Sequence, residues 1–568
     1  MKYQQTAHTL RKKILSIVKY HLHITLCLLL IANSLFPLTS FAQKDTTKKT
    51  TIDITSSYKP VLRNAVKINF SASHAAADTV LPVLQYTIPA QNLVYSYQPI
   101  PLQPLALEQD STIYLGIRNF VKLGFGNFTT PYVSAGFSFG DGKKTLLNAY
   151  ASYIASKGKI KNQDYSKLNV KATGSYFTAR NEVYGGASVS LNDNYLYGYN
   201  HSIYDFKKKD IQQQFMDVDL RIGFRNTTTG AYGINYNPYL WVSNFTSKNK
   251  LNETSVILTA PVEKQFGEVF TFKAEAKADI TRYTTKNLLP GNVTLSNNVI
   301  QLAPSLVYST PKLSINGGII PTWDNGKFIW LPNVYAEAQI LQNAIMFQAG
   351  WVGRYSKNTY RNLSAINPYL SPITTQKNTK EIEYYGGIKT TLAKHFNLNA
   401  KVGLVHYTNL PFFINDTSLV TDSKNFVISN ESSVNNLKVH GDISYINREK
   451  LTATAGITLN GYTLMKDNAR AWNTLPLEFN ASIRWWAFKQ VLLKADFYAF
   501  GSSYYLTKGN KAILFRPGSD LSAGIEFKVN KMFSAWLDVN NILSDRYQRW
   551  HNYEVYGLNL LGGVKVSF

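Results

Sequence analysis

Lys273, Glu275, Lys277 and Asp279 place four ionisable side chains at every second position of the run FKAEAKAD. In an extended chain that spacing puts all four on one face and leaves Phe272, Ala274, Ala276 and Ala278 on the other. Such a row either lines a polar path or pairs with charges on neighbouring strands to stiffen a wall, and the sequence leaves both roles open. A second cluster, Lys207, Lys208 and Lys209 with Tyr204 and Phe206 just before it, falls in a connecting segment. It could contact an anionic glycan or phosphate, or simply be a solvated charge run. Catalytic chemistry finds less to work with. His74, His201, His395, His406, His440 and His551 are scattered, with no nucleophile and carboxylate arranged around them. No His-x-x-x-His zinc spacing, EF-hand loop or phosphate-cradling glycine loop occurs, so no catalytic residue, metal or cofactor is expected and an enzyme is disfavoured.

The elements that must carry these residues are strands. Leu168, Val170, Ala172 and Tyr176 alternate with Lys167, Asn169, Lys171, Thr173 and Ser175, and Phe396, Leu398, Ala400, Val402 and Leu404 alternate with Asn397, Asn399 and Lys401. No amphipathic helical stretch is evident to cover the apolar faces, so they are expected to meet lipid while the charged faces point inward. A Lys or Arg facing hydrocarbon at mid-membrane would cost roughly 2–4 kcal/mol. Ten tight polar turns alternate with about eleven longer connections, which predicts an all-β membrane protein: an antiparallel transmembrane β-barrel of about 22 strands, within a range of roughly 18 to 24. Short turns would face the periplasm and longer loops the outside. The connection Leu410 to Ser432 is long enough to hold an extra hairpin. The mean hydropathy of -0.18 is compatible with this reading, because alternation hides the lipid face from averages. An aromatic share of 13%, with 37 Tyr, suits interfacial girdles.

The final strand, YGLNLLGGVKVSF, sets Phe568, Val566, Val564, Gly562, Leu560, Leu558 and Tyr556 on one face, with Leu561 as the apolar exception on the other. Phe568, Val566, Val564 and Leu560 form the expected recognition strand for the barrel-assembly machinery. The segment DVNNILSDRYQRWHNYEVYGLNLLGGVKVSF, with its Asn-Ile-Leu-Ser hinge, Tyr-Gln-x-Trp loop and terminal Phe, resembles the C-terminal end of a TonB-dependent outer-membrane receptor of the Bacteroidetes type. The resemblance implies an outer-membrane transporter whose N-terminal plug would exceed the roughly seventy residues that precede the first predicted strand here, so the full plug is missing. TonB, other outer-membrane proteins, lipid and lipopolysaccharide are the implied partners.

Residues 1–42 read as a signal peptide: Arg11, Lys12, Lys13 and Lys19 precede the apolar run Ile24 to Ala32, and Ser40-Phe41-Ala42 supplies a cleavage site. Residues 43–112 read as a periplasmic tail and a Pro-rich segment with Pro82, Pro89, Pro99, Pro101 and Pro104, expected to be extended. Either it folds into the lumen as a reduced plug, or the barrel is left open or sealed by partners, as in a structural or assembly subunit. The stretch from Thr51 to Lys67 is either a TonB-contacting box or a plain tail. The barrel is expected over 113–568. Cleavage would remove Cys27, the only cysteine, and five basic residues, taking the formal charge from +25 to +20. With no nucleic-acid motif present, that charge fits lipopolysaccharide-facing loops or a basic lumen, and no nucleic-acid partner is expected. Intact-mass measurement of protein from outer membranes is expected to find Gln43 as the first residue.

Overall fold

The computed structural model describes residues 119–568 apart from 230–231, 289–290, 342–344, 393–394, 417–422, 448–449 and 508. The signal peptide, the tail with its candidate TonB box, the Pro-rich segment and residues 113–118 lie outside the described residues.

Twenty-four strand segments form one antiparallel sheet. Two pairs of segments are halves of single strands. Ile234–Tyr236 and Tyr239–Ser247 both pair with Leu251–Phe266, and Gly291–Leu302 and Ser305–Ser309 both pair with Phe270–Leu288. The breaks fall at Pro238 and Pro304, where a missing N–H interrupts the ladder. The wall therefore has 22 strands, and it closes on itself: Phe120–Gly126 pairs with Asn559–Ser567 from Phe120↔Ser567 to Gly126↔Leu561. Closure satisfies the last edge of the sheet, as a strand wall in hydrocarbon requires.

Alternation sets the two faces. Leu123, Phe125, Val170, Phe272, Ile280, Val402, Leu404 and Val564 are all exposed on the outer face. On the outer face Trp330 meets Trp351 edge-on at 5.9 Å and Trp351 stacks on Tyr384 at 5.8 Å. Trp485 and Phe488 lie exposed near the tight-turn ends. An apolar belt bounded by aromatic rings belongs in a bilayer. Both Asn119 and Phe568 lie at the tight-turn end, where the Phe568 N–H donates to the Asn119 carbonyl at 2.8 Å.

The closing seam is unusually close. A side chain at Gly563 would put its Cβ 1.9 Å from the Leu123 carbonyl oxygen, and one at Gly124 would meet the Trp536 ring at 2.4 Å. Trp536 lies over this glycine pair on the inner face, packed with Tyr132 and Leu561. Leu561, the exception to the apolar face of the last strand, thus points inward to a small satellite core. The hairpin within Leu410 to Ser432 is present as Leu410–Asn415 paired with Phe426–Glu431, and it stands apart from the wall.

Gly563→Val should force the first and last strands apart, because the atom it would strike is backbone. Loss of the heat-modifiable barrel band in cold detergent electrophoresis is the expected result, with Ser567→Val on the same strand retaining it.

Candidate functional site

The long connections converge into one packed cap at the loop end of the barrel. Their largest apolar cluster joins residues from 196–211, 357–378, 409–433 and 541–558 to inner-wall residues such as Phe215, Phe245 and Tyr283. Tyr369 is its hub. Its ring stacks on Tyr553 at 3.4 Å between centroids and meets Tyr197 edge-on at 6.3 Å. Trp550 receives the edges of Phe413 and Phe426 at 5.2 and 5.4 Å. Offset and edge-to-face aromatic pairs of this kind add to the stabilisation from burial. Polar bonds tie in the remaining connections. Arg549 Nη1 donates to the Asn473 carbonyl at 2.9 Å, and Asn473 Nδ2 donates to the Phe413 carbonyl at 2.7 Å. Gln163 Nε2 donates to the Glu554 carbonyl at 2.8 Å.

Glu431 shows how two loops are fixed together. Burial would raise its pKa, but backbone N–H groups of Asp467, Lys466 and Asn468 at 2.8–3.1 Å outweigh this and hold it below the usual carboxylate value.

The connection 357–378 is anchored to the inner wall. Its helix Tyr360–Ile366 is started by Thr359, whose side chain accepts from the Asn362 N–H. The Glu253 carboxylate accepts from the Tyr360 and Arg361 N–H groups at 2.7 and 3.1 Å, where the helix end favours negative charge. Arg361 bridges Asp217 at 2.6 Å and Asp219 at 2.9 Å. Lys357 is paired with Asp279 and donates to Thr281 Oγ1 at 2.6 Å. Further round the wall, Arg354 bonds Glu381 and Glu383, and Lys401 bonds Glu383 at 2.7 Å.

A cleft of about 540 Å³ opens within the cap, lined among others by Asn200, His201, Asn415, Gln548, His551 and Glu554. Asn415 is 2% exposed, and its Oδ1 has no partner. The His551 Nδ1 is also buried without a partner, and its ring stacks on Tyr505 at 3.8 Å. Desolvation pushes His551 down to about 4, so its ring is neutral at ordinary pH.

The row read from the sequence runs along the inner face, opposite the exposed Phe272 and Ile280. Lys273 pairs across strands with Glu263 at 3.7 Å, Asp279 holds Lys357, and Glu275 is exposed to the lumen. Lys207, Lys208 and Lys209 are all exposed, and Lys208 is paired with Asp164 and sits 4.7 Å from the Tyr195 ring centre. These two groups are not brought together. Phe568, Val564 and Leu560 are exposed on the outer face of the last strand, and Val566 is half-buried beside them. The sequence analysis does not single out Asp217, Asp219, Glu253, Lys357 or Arg361. Inward parity is visible for the acidic residues on their strands, but the basic partners lie in a connection with no periodicity to read.

The barrel can be compared with known proteins on this geometry. No family model and no curated protein matches the chain. Solved structures do. The ferric enterobactin receptor PfeA of Pseudomonas aeruginosa, as a variant, is 11% identical over 79% of this chain and 80% of its own, with a TM-score of 0.59. The receptor FpvA of the same organism, solved with bound pyoverdines, is 11% identical over 80% of this chain and 72% of its own, with a TM-score of 0.60. The siderophore receptor PirA gives 11% identity, 80% and 79% coverage, and a TM-score of 0.54. The chain has the 22-strand barrel fold of TonB-dependent receptors. With its apolar belt, this TonB-dependent-receptor-like barrel is a protein of the bacterial outer membrane. The matched structures are receptors rather than enzymes.

Tyr369→Ala should cost the cap roughly 3–5 kcal/mol, the usual loss on truncating a buried aromatic residue, and should show as faster protease cleavage of the loops on whole cells. The depressed pKa of His551 also sets a pH dependence. The opened cap binds a proton at about 6.5 but the closed cap only near 4, so the contribution of neutral His551 to closure is fully present above about pH 6.5 and is lost as pH falls towards 4. His551→Phe is expected to flatten that part of the protease-sensitivity profile.

Proposed function

We propose that the protein receives a small polar solute at the outside of the cell, in the cleft among the loops, and passes it through the barrel. The observation that carries this reading is the loop-built cleft, with Asn415 Oδ1 and His551 Nδ1 buried and unpartnered at its wall. A ligand that donates to Asn415 and hydrogen-bonds to His551 would supply the missing partners, as convergent polar groups do in small-molecule sites. The inward charges Lys273, Glu275 and Lys277 would line the route below, and Lys207 and Lys209 would meet anionic lipopolysaccharide outside. Residues 43–112 would act as a reduced plug or TonB-facing segment, and the terminal strand ending at Phe568 would be read by the barrel-assembly machinery. The fold likeness to receptors for ferric enterobactin and pyoverdine supports transport as the class of function, not those ligands.

The second reading is a structural subunit of an outer-membrane complex, sealed by partners. Exposed apolar residues at the loop end, Ile203 at 70% and Leu514 at 52%, would give such partners a surface to cover.

Profiling the solutes left in spent medium separates the two readings. A deletion strain is expected to leave behind a class of small polar solute that the parent strain consumes. The full chain should restore uptake, and a chain with Asn415→Leu should not. Unchanged solute depletion, together with stoichiometric co-purification of another outer-membrane protein, would overturn the transport reading in favour of the structural one.

A further inference from the structure

The connection 357–378 leaves the thirteenth wall strand, Ile345–Ser356, and re-enters at the fourteenth, Thr379–Leu392. Its anchors lie elsewhere. Arg361 is bonded to Asp217 and Asp219 on the sixth strand, Gln212–Asn226. Tyr360 and Arg361 are bonded through their N–H groups to Glu253 at the start of the eighth, and Lys357 is bonded to Asp279 on the ninth. Asn378 exchanges amide bonds of 2.7 and 2.8 Å with Asn297 on the tenth, and the Ile373 N–H donates to the Tyr283 hydroxyl at 3.2 Å. Asn378 Nδ2 also donates to Asp324 Oδ1 on the eleventh strand at 3.0 Å, so the bonds follow the inner face from the eleventh strand to the sixth. The seven intervals back from the thirteenth strand, at about 4.8 Å each, are roughly 34 Å or about a third of the ring, so the connection lies inside the barrel along that arc.

From this inward placement we infer that the connection 357–378 is an internal gate that narrows and closes the barrel on the outer side, held by an ionic latch to an acidic strip of wall. The inference goes beyond the transport reading, because it assigns closure of the lumen to the barrel's own loop whatever the solute is. The latch has two cations, Lys357 and Arg361, against four carboxylates, Asp217, Asp219, Glu253 and Asp279. A latch of this composition is suited to release. The partly buried ions lose their pairing when the loop withdraws, but they regain hydration, which offsets much of that loss. An apolar plug would have no comparable compensation. The cap reinforces closure from above, because Tyr369 and Leu370 of the same connection pack with Tyr553 and Phe426. The helix Tyr360–Ile366 gives the inward segment a rigid turn close to the wall.

Accessibility of the lumen from outside tests the gate. The mature chain carries no cysteine if it begins at Gln43, so Glu275→Cys places a single thiol on the inner face below the latch. Whole cells are treated with a membrane-impermeant maleimide fluorophore, and heat-modifiable migration confirms that every variant is a folded barrel. Labelling should be slow in the otherwise unchanged chain. It should rise about tenfold or more with Arg361→Glu, because breaking a part-buried latch shifts a closed population strongly towards open. Adding Asp217→Arg and Asp219→Arg to that variant should slow labelling again, a rescue that simple destabilisation of the cap would not give. A shortened chain lacking 361–373 should label at least as fast as Arg361→Glu. Equal labelling of the unchanged and shortened chains would overturn the gate. Fast labelling of the shortened chain with no effect of Arg361→Glu would overturn the ionic latch.

Discussion

A strand wall in hydrocarbon has no water to satisfy an unpaired edge, and the whole architecture depends on that constraint. The sheet meets it by pairing Phe120–Gly126 with Asn559–Ser567, strands at opposite ends of the described chain. Gly124 and Gly563 let the two backbones approach, and the Trp536 ring fills the space that the missing side chains leave. Lys122 lies 3.8 Å from the centre of a Trp536 ring and 3.9 Å from Asp538, so the polar lining of the lumen begins at the seam itself.

Closing 22 strands creates a second problem, because a ring of that size surrounds more space than inward side chains can fill. The connections at one end occupy part of it. Their aromatic residues form a buried core inside the membrane wall. Charge does the fixing where the core meets the wall, and the inner face is rich in ionisable groups for that purpose. Arg354, Glu381, Glu383 and Lys401 tie neighbouring strands together, while Lys357 and Arg361 tie a loop to strands far round the ring. Two members of the inward row are held in ion pairs and one is left open. Lys273 pairs across strands, Asp279 pairs with a loop, and Glu275 remains exposed to the lumen.

Much of this was legible from local pattern. Strand alternation has a period of two, so a single correct strand assigns every side chain on it to lipid or lumen. That logic placed Phe272 and Ile280 outside, Lys273 and Asp279 inside, and the terminal Phe568 on the lipid face. Tight turns alternating with longer connections gave the strand number, because each turn is a local event of a few residues. Even the hairpin Leu410–Asn415 with Phe426–Glu431 left a trace in the length of its connection. The helix Tyr360–Ile366 left none, since seven residues are too few for a period of 3.6 to show against a loop.

The sequence by itself determined the wall: its class, its approximate strand count, its two faces and the side to which its chain end belongs. Those properties follow from interactions between residues close in sequence and from the need to keep charge out of lipid. Only the tertiary structure decided what fills the ring. Arg361 and Asp217 are 144 positions apart, Tyr360 and Glu253 are 107 apart, and Tyr553 meets the Lys424 carbonyl across 129. No periodicity links such pairs. They meet because closure of the barrel bends strands far apart in sequence around one lumen, and the loops that fold into it find whichever charges and rings the inner wall presents.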